Sequence, residues 1–382
     1  MPAMTRASVC LAGGTLQVNV DRSDLALDDL CGFASRRNPK RPFIFVSRVL
    51  GRHLPVQPRV MRMIHRKLAA KLPNDLPGPV VVIGMAETAI ALGHGIQDAW
   101  QTLAGRQDLL FLHSTRYRLA DHRVLARFEE SHSHATGHLI YEPAAPADAA
   151  LFAACRTLVL VDDEASTGST FIALADVCRR HMPHLSQIAC VTITDWMGHA
   201  RREEVRAELP APTVFLSLLE GRHSFSAASD ARAPRMPDVT GNGEVKDALI
   251  PVNWGRLGLR TPRPLPDHVA AIRARRGERI LVLGTGEFVY PPFQLARRLA
   301  GMGADVRVQA TTRSPIQEGT EIQGILEFPD AYNDGIPNFL YGVRNGQYDR
   351  VLVCYETPPE TAQTGLLATL GAEPVFFNAP GA

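Results

Sequence analysis

Thr157 to Leu174 reads TLVLVDDEASTGSTFIAL. Leu158, Val159, Leu160 and Val161 are too few for a helix face and β-branched enough for a buried strand, which is expected to stop there. Two carboxylates, Asp162 and Asp163, stand at its carboxyl end. The small, hydroxyl-rich run Ala165-Ser166-Thr167-Gly168-Ser169-Thr170 then leads into the apolar periodicity of Phe171 to Cys178. Such a loop lets successive backbone N–H groups converge on one anion at a helix N-terminus, with the hydroxyls as further donors. The preceding acids are suited to accept hydrogen bonds from vicinal hydroxyls. A phosphate and a sugar diol together point to a ribose 5-phosphate.

The 382 residues suggest two domains, each with room for a core. Forty-one Lys and Arg against 39 Asp and Glu give a net charge of +2 with no long basic run, so local anion sites are expected and no nucleic-acid face. Cys10, Cys31, Cys155, Cys178, Cys190 and Cys354 are scattered without metal-ligand spacing, which argues against structural zinc and a disulfide frame. No run approaches the length of a membrane span and the N-terminus has no leader pattern; a cytoplasmic protein with no membrane partner is expected.

Outward from the opening stretch, Val80 to Ile83 is a second buried strand, ending at Gly84-Met85-Ala86-Glu87-Thr88-Ala89 and entering a helix. Both strand–loop–helix units aim small residues at one carboxyl edge, where doubly wound sheets bind ligands. Leu109 to Leu112 ends in His113-Ser114-Thr115-Arg116, which sets Arg116 to meet an oxyanion. Upstream, Ser47, Arg48, Gly51, Arg52 and His53 form a turn that reads either as an anion contact or as a solvated surface loop. Gln187 to Thr194 is another strand, after which Trp196 either stacks on a base or closes the core. The His132/His134 pair lies in an acidic stretch and is read as solvated.

Val159 to Thr170 resembles the phosphoribosyl pyrophosphate (PRPP) motif of type I phosphoribosyltransferases. The resemblance implies a parallel sheet flanked by helices, with Asp162 and Asp163 on the ribose and Ala165, Ser166, Thr167, Gly168, Ser169 and Thr170 around the 5-phosphate. It assigns pyrophosphate to Ala86, Glu87, Thr88, Ala89, Arg116 and Arg52. Mg²⁺ is then carried mainly by PRPP, with Glu87 reaching it through water or else capping its helix. The charged segment before His138 resembles the hood loop of orotate-type enzymes, and Glu130 and His132 are the candidate bases in it.

Residues 279–356 repeat the syntax of the first half in the same order. Arg279 to Leu283 leads to Gly284-Thr285-Gly286-Glu287, Val306 to Ala310 leads to Thr311-Thr312-Arg313-Ser314-Pro315, and Arg350 to Cys354 leads to Tyr355-Glu356-Thr357. The second α/β domain therefore reads as a degenerate structural repeat, unable to cradle a phosphate because Pro358 and Pro359 replace the small loop. It resembles the TRSP domain, named for a motif present here as Thr312-Arg313-Ser314-Pro315, which accompanies phosphoribosyltransferases of tellurium-resistance-associated stress gene clusters. The expected division is 1–225 phosphoribosyltransferase, 226–266 connection and 267–382 TRSP-type domain. The expected function is transfer of ribose 5-phosphate from PRPP to a base-like small molecule, with Glu287, Thr312, Arg313 and Ser314 as acceptor candidates. A homodimer is left open, and the competing reading is a PRPP or nucleotide sensor.

Overall fold

The computed structural model describes residues 5–38, 40–128, 137–228 and 243–378. The first half runs β1 (Thr5–Leu11), β2 (Gly14–Ser23), α1 (Leu27–Leu30), β3 (Cys31–Ser35), β4 (Phe43–Ser47), α2 (Pro58–Ala69), β5 (Val80–Gly84), α3 (Ile90–Ala104) and β6 (Leu109–His113). It continues with β7 (Val124–Phe128), β8 (His138–Tyr141), α4 (Pro146–Ala153), β9 (Thr157–Ala165), α5 (Ser169–Arg179), β10 (Gln187–Asp195), α6 (Gly198–Glu208) and β11 (Thr213–Ala227). The second half comprises α7 (Asp267–Ala270), β12 (Arg279–Gly284), α8 (Tyr290–Gly301), β13 (Asp305–Ala310), β14 (Ile325–Pro329), β15 (Pro337–Tyr341), β16 (Arg350–Tyr355), α9 (Thr364–Leu370) and β17 (Glu373–Phe376).

The first sheet has the order β1-β2-β11-β10-β9-β5-β6, parallel from β11 to β6 and antiparallel where β2 and β1 are added. Its central strands are apolar without alternation because helices and loops cover both faces: Val80 to Ile83, Leu109 to Leu112 and Leu158 to Val161 are fully buried. The second sheet, β13-β12-β16-β17, is parallel throughout. It repeats β6-β5-β9-β10 strand for strand, and an antiparallel hairpin, β7–β8 or β14–β15, is inserted at the same point of each.

The correspondence extends to single atoms. Gly84 pairs with His113 and Val161, and Gly284 with Ala310 and Cys354. A Cβ on either glycine would run into backbone of the loop that follows, the carbonyl of Ala89 or of Phe288. The Tyr141 hydroxyl accepts from Leu119 N at 2.7 Å and donates to Tyr117 O at 3.2 Å. At the equivalent place Tyr341 accepts from Ile316 N at 2.9 Å and donates to Ser314 O at 2.5 Å. The repeat of strand ends seen in the sequence is thus also one of topology and register.

Neither sheet face of the second half is closed by that half alone. Val56, Met61 and Ala91 pack with Ile280, Val282 and Phe293 on one side of β12. Tyr117, Leu119 and Tyr141 pack with Leu281, Leu283 and Tyr332 on the other. A third shared cluster joins Ala34 and Val46 to Ile316, Ile322 and Phe339. None of the described helices is long and apolar enough to cross a membrane.

Four local expectations change. β9 does not stop at Val161 but stays paired with β10 through Asp162, Glu164 and Ala165, so the acids belong to the sheet's extended edge. The Ser47 to His53 turn is neither surface loop nor anion contact: Arg52 and His53 are buried, and Arg48 pairs with Glu321 of the second half at 2.6 Å. Trp196 stacks on Phe45 with ring centroids 4.7 Å apart and is 2 % exposed, which makes it core. The expected 226–266 connection begins inside a strand, because β11 continues to Ala227 against β2 after a bulge at Glu220/Gly221.

Candidate active site

At the carboxyl edge of β9, Ser166 and Thr167 form a half-buried bend, and Gly168 takes a φ of 72° before α5. A β-carbon is excluded there twice over, by the left-handed backbone and by Val205 and Met197, which it would strike. No side chain caps α5, whose first-turn N–H groups and positive dipole end serve the bend. Thr167 Oγ1 and Ser169 Oγ lie 2.9 Å apart, and Arg201 Nε fixes the Thr167 carbonyl at 2.9 Å. Thr170 is half-buried in the first turn. Ala165, expected in the cradle, is instead buried in the strand, with its carbonyl accepting from Trp196 N at 2.7 Å.

The acid pair and the Gly84–Ala89 loop meet. Thr88 Oγ1 donates to Asp163 Oδ1 at 2.7 Å, and Asp162 Oδ1 accepts from Asp163 N at 2.9 Å. Glu164, next along, is half-buried beside Arg41 at 2.5 Å; desolvation raises its pKa and the guanidinium works against that rise. The loop contains a cis peptide between Ala86 and Glu87, its Ala86 N donates to Ser114 Oγ at 2.8 Å, and Ala89 is buried where the loop turns into α3.

Glu87 is 9 % exposed and faces the second half: its Oε2 accepts from Thr312 Oγ1 at 3.1 Å and from Arg313 N at 3.4 Å. Glu287, at the equivalent place in the second half, accepts from Thr115 Oγ1 at 2.5 Å and from Arg116 N at 2.8 Å. The two halves therefore brace each other reciprocally, each glutamate holding the Thr-Arg pair of the opposite half. Arg52 corrects its assignment to pyrophosphate, since its guanidinium is buried and donates to the carbonyls of Gly286 and Thr311 at 2.7 Å and of Glu87 at 2.5 Å. Burial lowers its pKa, an effect that Glu87 and Asp163 partly offset.

Glu287 is likewise spent, and is not offered to an acceptor. Arg256, which the sequence reading did not single out, inserts between Glu287 and Glu356, donating to Glu287 Oε2 at 3.0 Å and in bidentate fashion to Glu356 at 2.7 Å. Burial works against its charge, but the two carboxylates overcome that and raise its pKa. The Tyr332 hydroxyl completes Glu356 at 2.7 Å. In register Tyr355 and Glu356 occupy the places of Asp162 and Asp163, so in the second half that position is filled by the protein's own side chains.

Arg313 lies across the Tyr117 ring at 5.3 Å, donates to its hydroxyl at 3.1 Å and pairs with Asp334 at 3.3 Å. Arg116 and Arg313 both line a cavity of about 450 Å³ between the β7–β8 hairpin and the second half, together with Arg118, Arg127, Phe128 and Lys246. Thr312 is committed to Glu87, and Ser314 Oγ is buried with no hydrogen-bond partner among the described residues. Glu130 and His132, the expected bases, lie outside the described residues. The thiols of Cys31 and Cys155 are pushed up to about 12 by burial, which removes them as nucleophiles near neutral pH.

Among the described residues no group of three or more His, Cys, Asp and Glu is arranged to hold a metal ion. Glu87 Oε1 is buried without a hydrogen-bond partner there, beside the loop assigned to pyrophosphate. This donor set suits a divalent ion that brings most of its ligands with it.

Comparison with known proteins gives two family matches: a model described as phosphoribosyl transferase over residues 30–222, and one described as the TRSP domain C-terminal to it over residues 256–370. No curated protein matches the chain. Solved structures similar to it include adenine phosphoribosyl transferase from Trypanosoma brucei in complex with AMP, pyrophosphate and ribose-5-phosphate (13 % identity, TM-score 0.36, covering 57 % of this chain and 86 % of that one). APRTase from Giardia lamblia complexed with 9-deazaadenine is another (18 %, 0.29, 43 % and 80 %), as is orotate phosphoribosyltransferase from Aeropyrum pernix (13 %, 0.27, 47 % and 80 %). With the first model spanning half of the chain, this protein belongs to the phosphoribosyl transferase family, with a TRSP domain following the matched region.

Proposed function

We propose that the first half binds PRPP and transfers ribose 5-phosphate to a small-molecule acceptor, releasing pyrophosphate. The observation that carries this reading is the Thr88–Asp163 hydrogen bond of 2.7 Å, which ties the loop assigned to pyrophosphate to the acids assigned to ribose. Ser166 to Thr170 would take the 5-phosphate on the start of α5, and Asp162 and Asp163 the ribose hydroxyls. Ala86 to Ala89 would contact the diphosphate, with Arg116 adding positive charge. In the transfer a bond forms between acceptor and C1 while the C1–oxygen bond breaks, its electron pair leaving with pyrophosphate. Positioning the reactants and neutralising the leaving group account for the rate. Mg²⁺ carried by PRPP would supply further neutralisation, with Glu87 as the carboxylate that would reach it through water. Because Arg256 and Tyr332 fill the equivalent place in the second half, one PRPP is expected per chain.

The test is titration calorimetry with PRPP and Mg²⁺ on the whole chain and on the Asp162→Asn/Asp163→Asn variant. Wild type should bind one equivalent. The variant should lose affinity by about 1.5 kcal/mol or more, the scale of a hydrogen bond to a charged acceptor, with an unchanged melting curve. Equal affinity in the two proteins would sink the assignment. Incubation with a metabolite extract, read by mass spectrometry for new ribose-phosphate adducts, then distinguishes a transferase from a sensor.

A further inference from the structure

Two arginines on the cavity beneath the β7–β8 hairpin have no counter-charge among the described residues. Among the described residues the lining carries five cations (Arg116, Arg118, Arg127, Lys246, Arg313) against two acids, Glu244 and Asp334. Asp334 is shared, pairing with Lys246 at 2.8 Å and Arg313 at 3.3 Å. Arg118 and Arg127 are exposed, and neither guanidinium makes a hydrogen bond or ion pair among the described residues. Two guanidinium groups on one cavity without a counter-charge among the described residues offer a seat for an anion, and their planar forks match a carboxylate. The remaining wall is apolar: Phe128 stacks on His138 at 5.0 Å, and Leu139 is buried beside it. A volume of about 450 Å³ suits a ring-sized molecule.

The cavity meets the donor elements at Arg116 and is otherwise not built from them. No residue of Ser166 to Thr170 or of Gly84 to Ala89 lines it. A contact path nevertheless runs from Phe128 to His138, whose Nδ1 lies 3.0 Å from Ser114 Oγ, and from there to Ala86 N at 2.8 Å. From the other side Arg313 reaches the cavity while its backbone N rests on Glu87. Resting on the transferase reading above, we infer that this cavity receives the acceptor and that the acceptor is a ring-bearing acid whose anionic group is gripped by Arg118 and Arg127. Specificity is then shared between the halves, the first providing the two exposed arginines and the apolar wall, and the second providing Arg313 and Asp334.

The experiment is calorimetry on the whole chain with matched pairs that differ in charge, nicotinate against nicotinamide and orotate against uracil, alone and with PRPP and Mg²⁺. At least one acid should bind about tenfold or more tightly than its neutral partner, the scale of one charge-assisted hydrogen bond. The Arg118→Gln/Arg127→Gln variant should abolish that preference and leave PRPP affinity within about twofold. Equal binding of acid and neutral partner, no binding of either acid at millimolar concentration, or an unchanged preference in the variant overturns the inference. Displacement of bound nicotinate or orotate by pyrophosphate alone also overturns it, by making the cavity part of the donor site. Failure of wild type to bind PRPP is a separate result: it removes the donor reading, while the acid–neutral comparison is still read on its own.

Discussion

A guanidinium taken out of water needs acceptors for its N–H groups, and Arg52 and Arg256 meet that need in opposite ways. Arg52 uses neutral carbonyls contributed by both halves, whereas Arg256 uses two buried carboxylates. Removing a charge from the second arrangement strands its partners. Arg256→Met should cost about 3–5 kcal/mol at pH 7, because Glu287 and Glu356 are then buried without a counter-ion. Urea unfolding at pH 7 checks this, and a deficit below about 1 kcal/mol would contradict a buried triad. None of this was readable from local sequence. The carboxylate partners of Arg256 lie 31 and 100 positions away, and the partners of Arg52 up to 259.

At the scale of elements, the strand–loop–helix unit around Gly168 was legible because it is local: four apolar residues, two acids and a run of small residues within 14 positions. Its geometry yields a direct prediction. Gly168→Ala forces a β-carbon into a left-handed position, at about 1–2 kcal/mol, and against Val205 and Met197. The bend should open, with PRPP affinity falling by about tenfold in calorimetry and a modest drop in melting temperature. Unchanged PRPP affinity in a folded variant would show that the bend does not cradle the phosphate. The end of β9 was misjudged for an equally physical reason. Asp162 and Asp163 look like strand terminators by propensity, yet β10 supplies parallel partners as far as Asp195, and tertiary pairing outweighs propensity.

For the molecule as a whole, the shared clusters mean that the second half acts structurally as a partner subunit carried on the same chain. Expressing residues 1–242 alone would expose Met61, Tyr117, Leu119 and Tyr141, each buried in the intact chain. That fragment is expected to aggregate or to bind a hydrophobic dye, and a soluble, cooperatively melting fragment would contradict the shared core. Acid should loosen the same boundary. His53, beside Tyr341, and His65, against Phe293, are each pushed down to about 3 by burial, as is His113. Their ordinary value is 6.5, so between about 6.5 and 3 the unfolded chain binds more protons than the folded one. The stability they contribute is present above pH 6.5 and lost as pH falls toward 3. Melting temperature should therefore decline from pH 7 to 4.5, and a flat profile would contradict neutral buried histidines.

What the amino-acid sequence determined by itself was the repeated vocabulary. An apolar strand ending in Gly and a small loop, a second ending in Thr-Arg and a third ending in acids or their replacements occur twice in the same order. Each such unit is written in neighbouring residues, and hydrophobic period and loop chemistry are enough to find it. Only the tertiary structure decided how the two copies face each other. The crossing of Glu87 to Thr312-Arg313 and of Glu287 to Thr115-Arg116 is a contact across 171 to 226 positions. Neither glutamate differs locally from an ordinary helix-start acid. The same distance hid the cavity, whose walls come from a hairpin of one half, a loop of the other and the segment between them. Charge identity is local, but whether a charge is spent on the protein or left for a ligand depends on which groups the fold brings within about 3 Å of it.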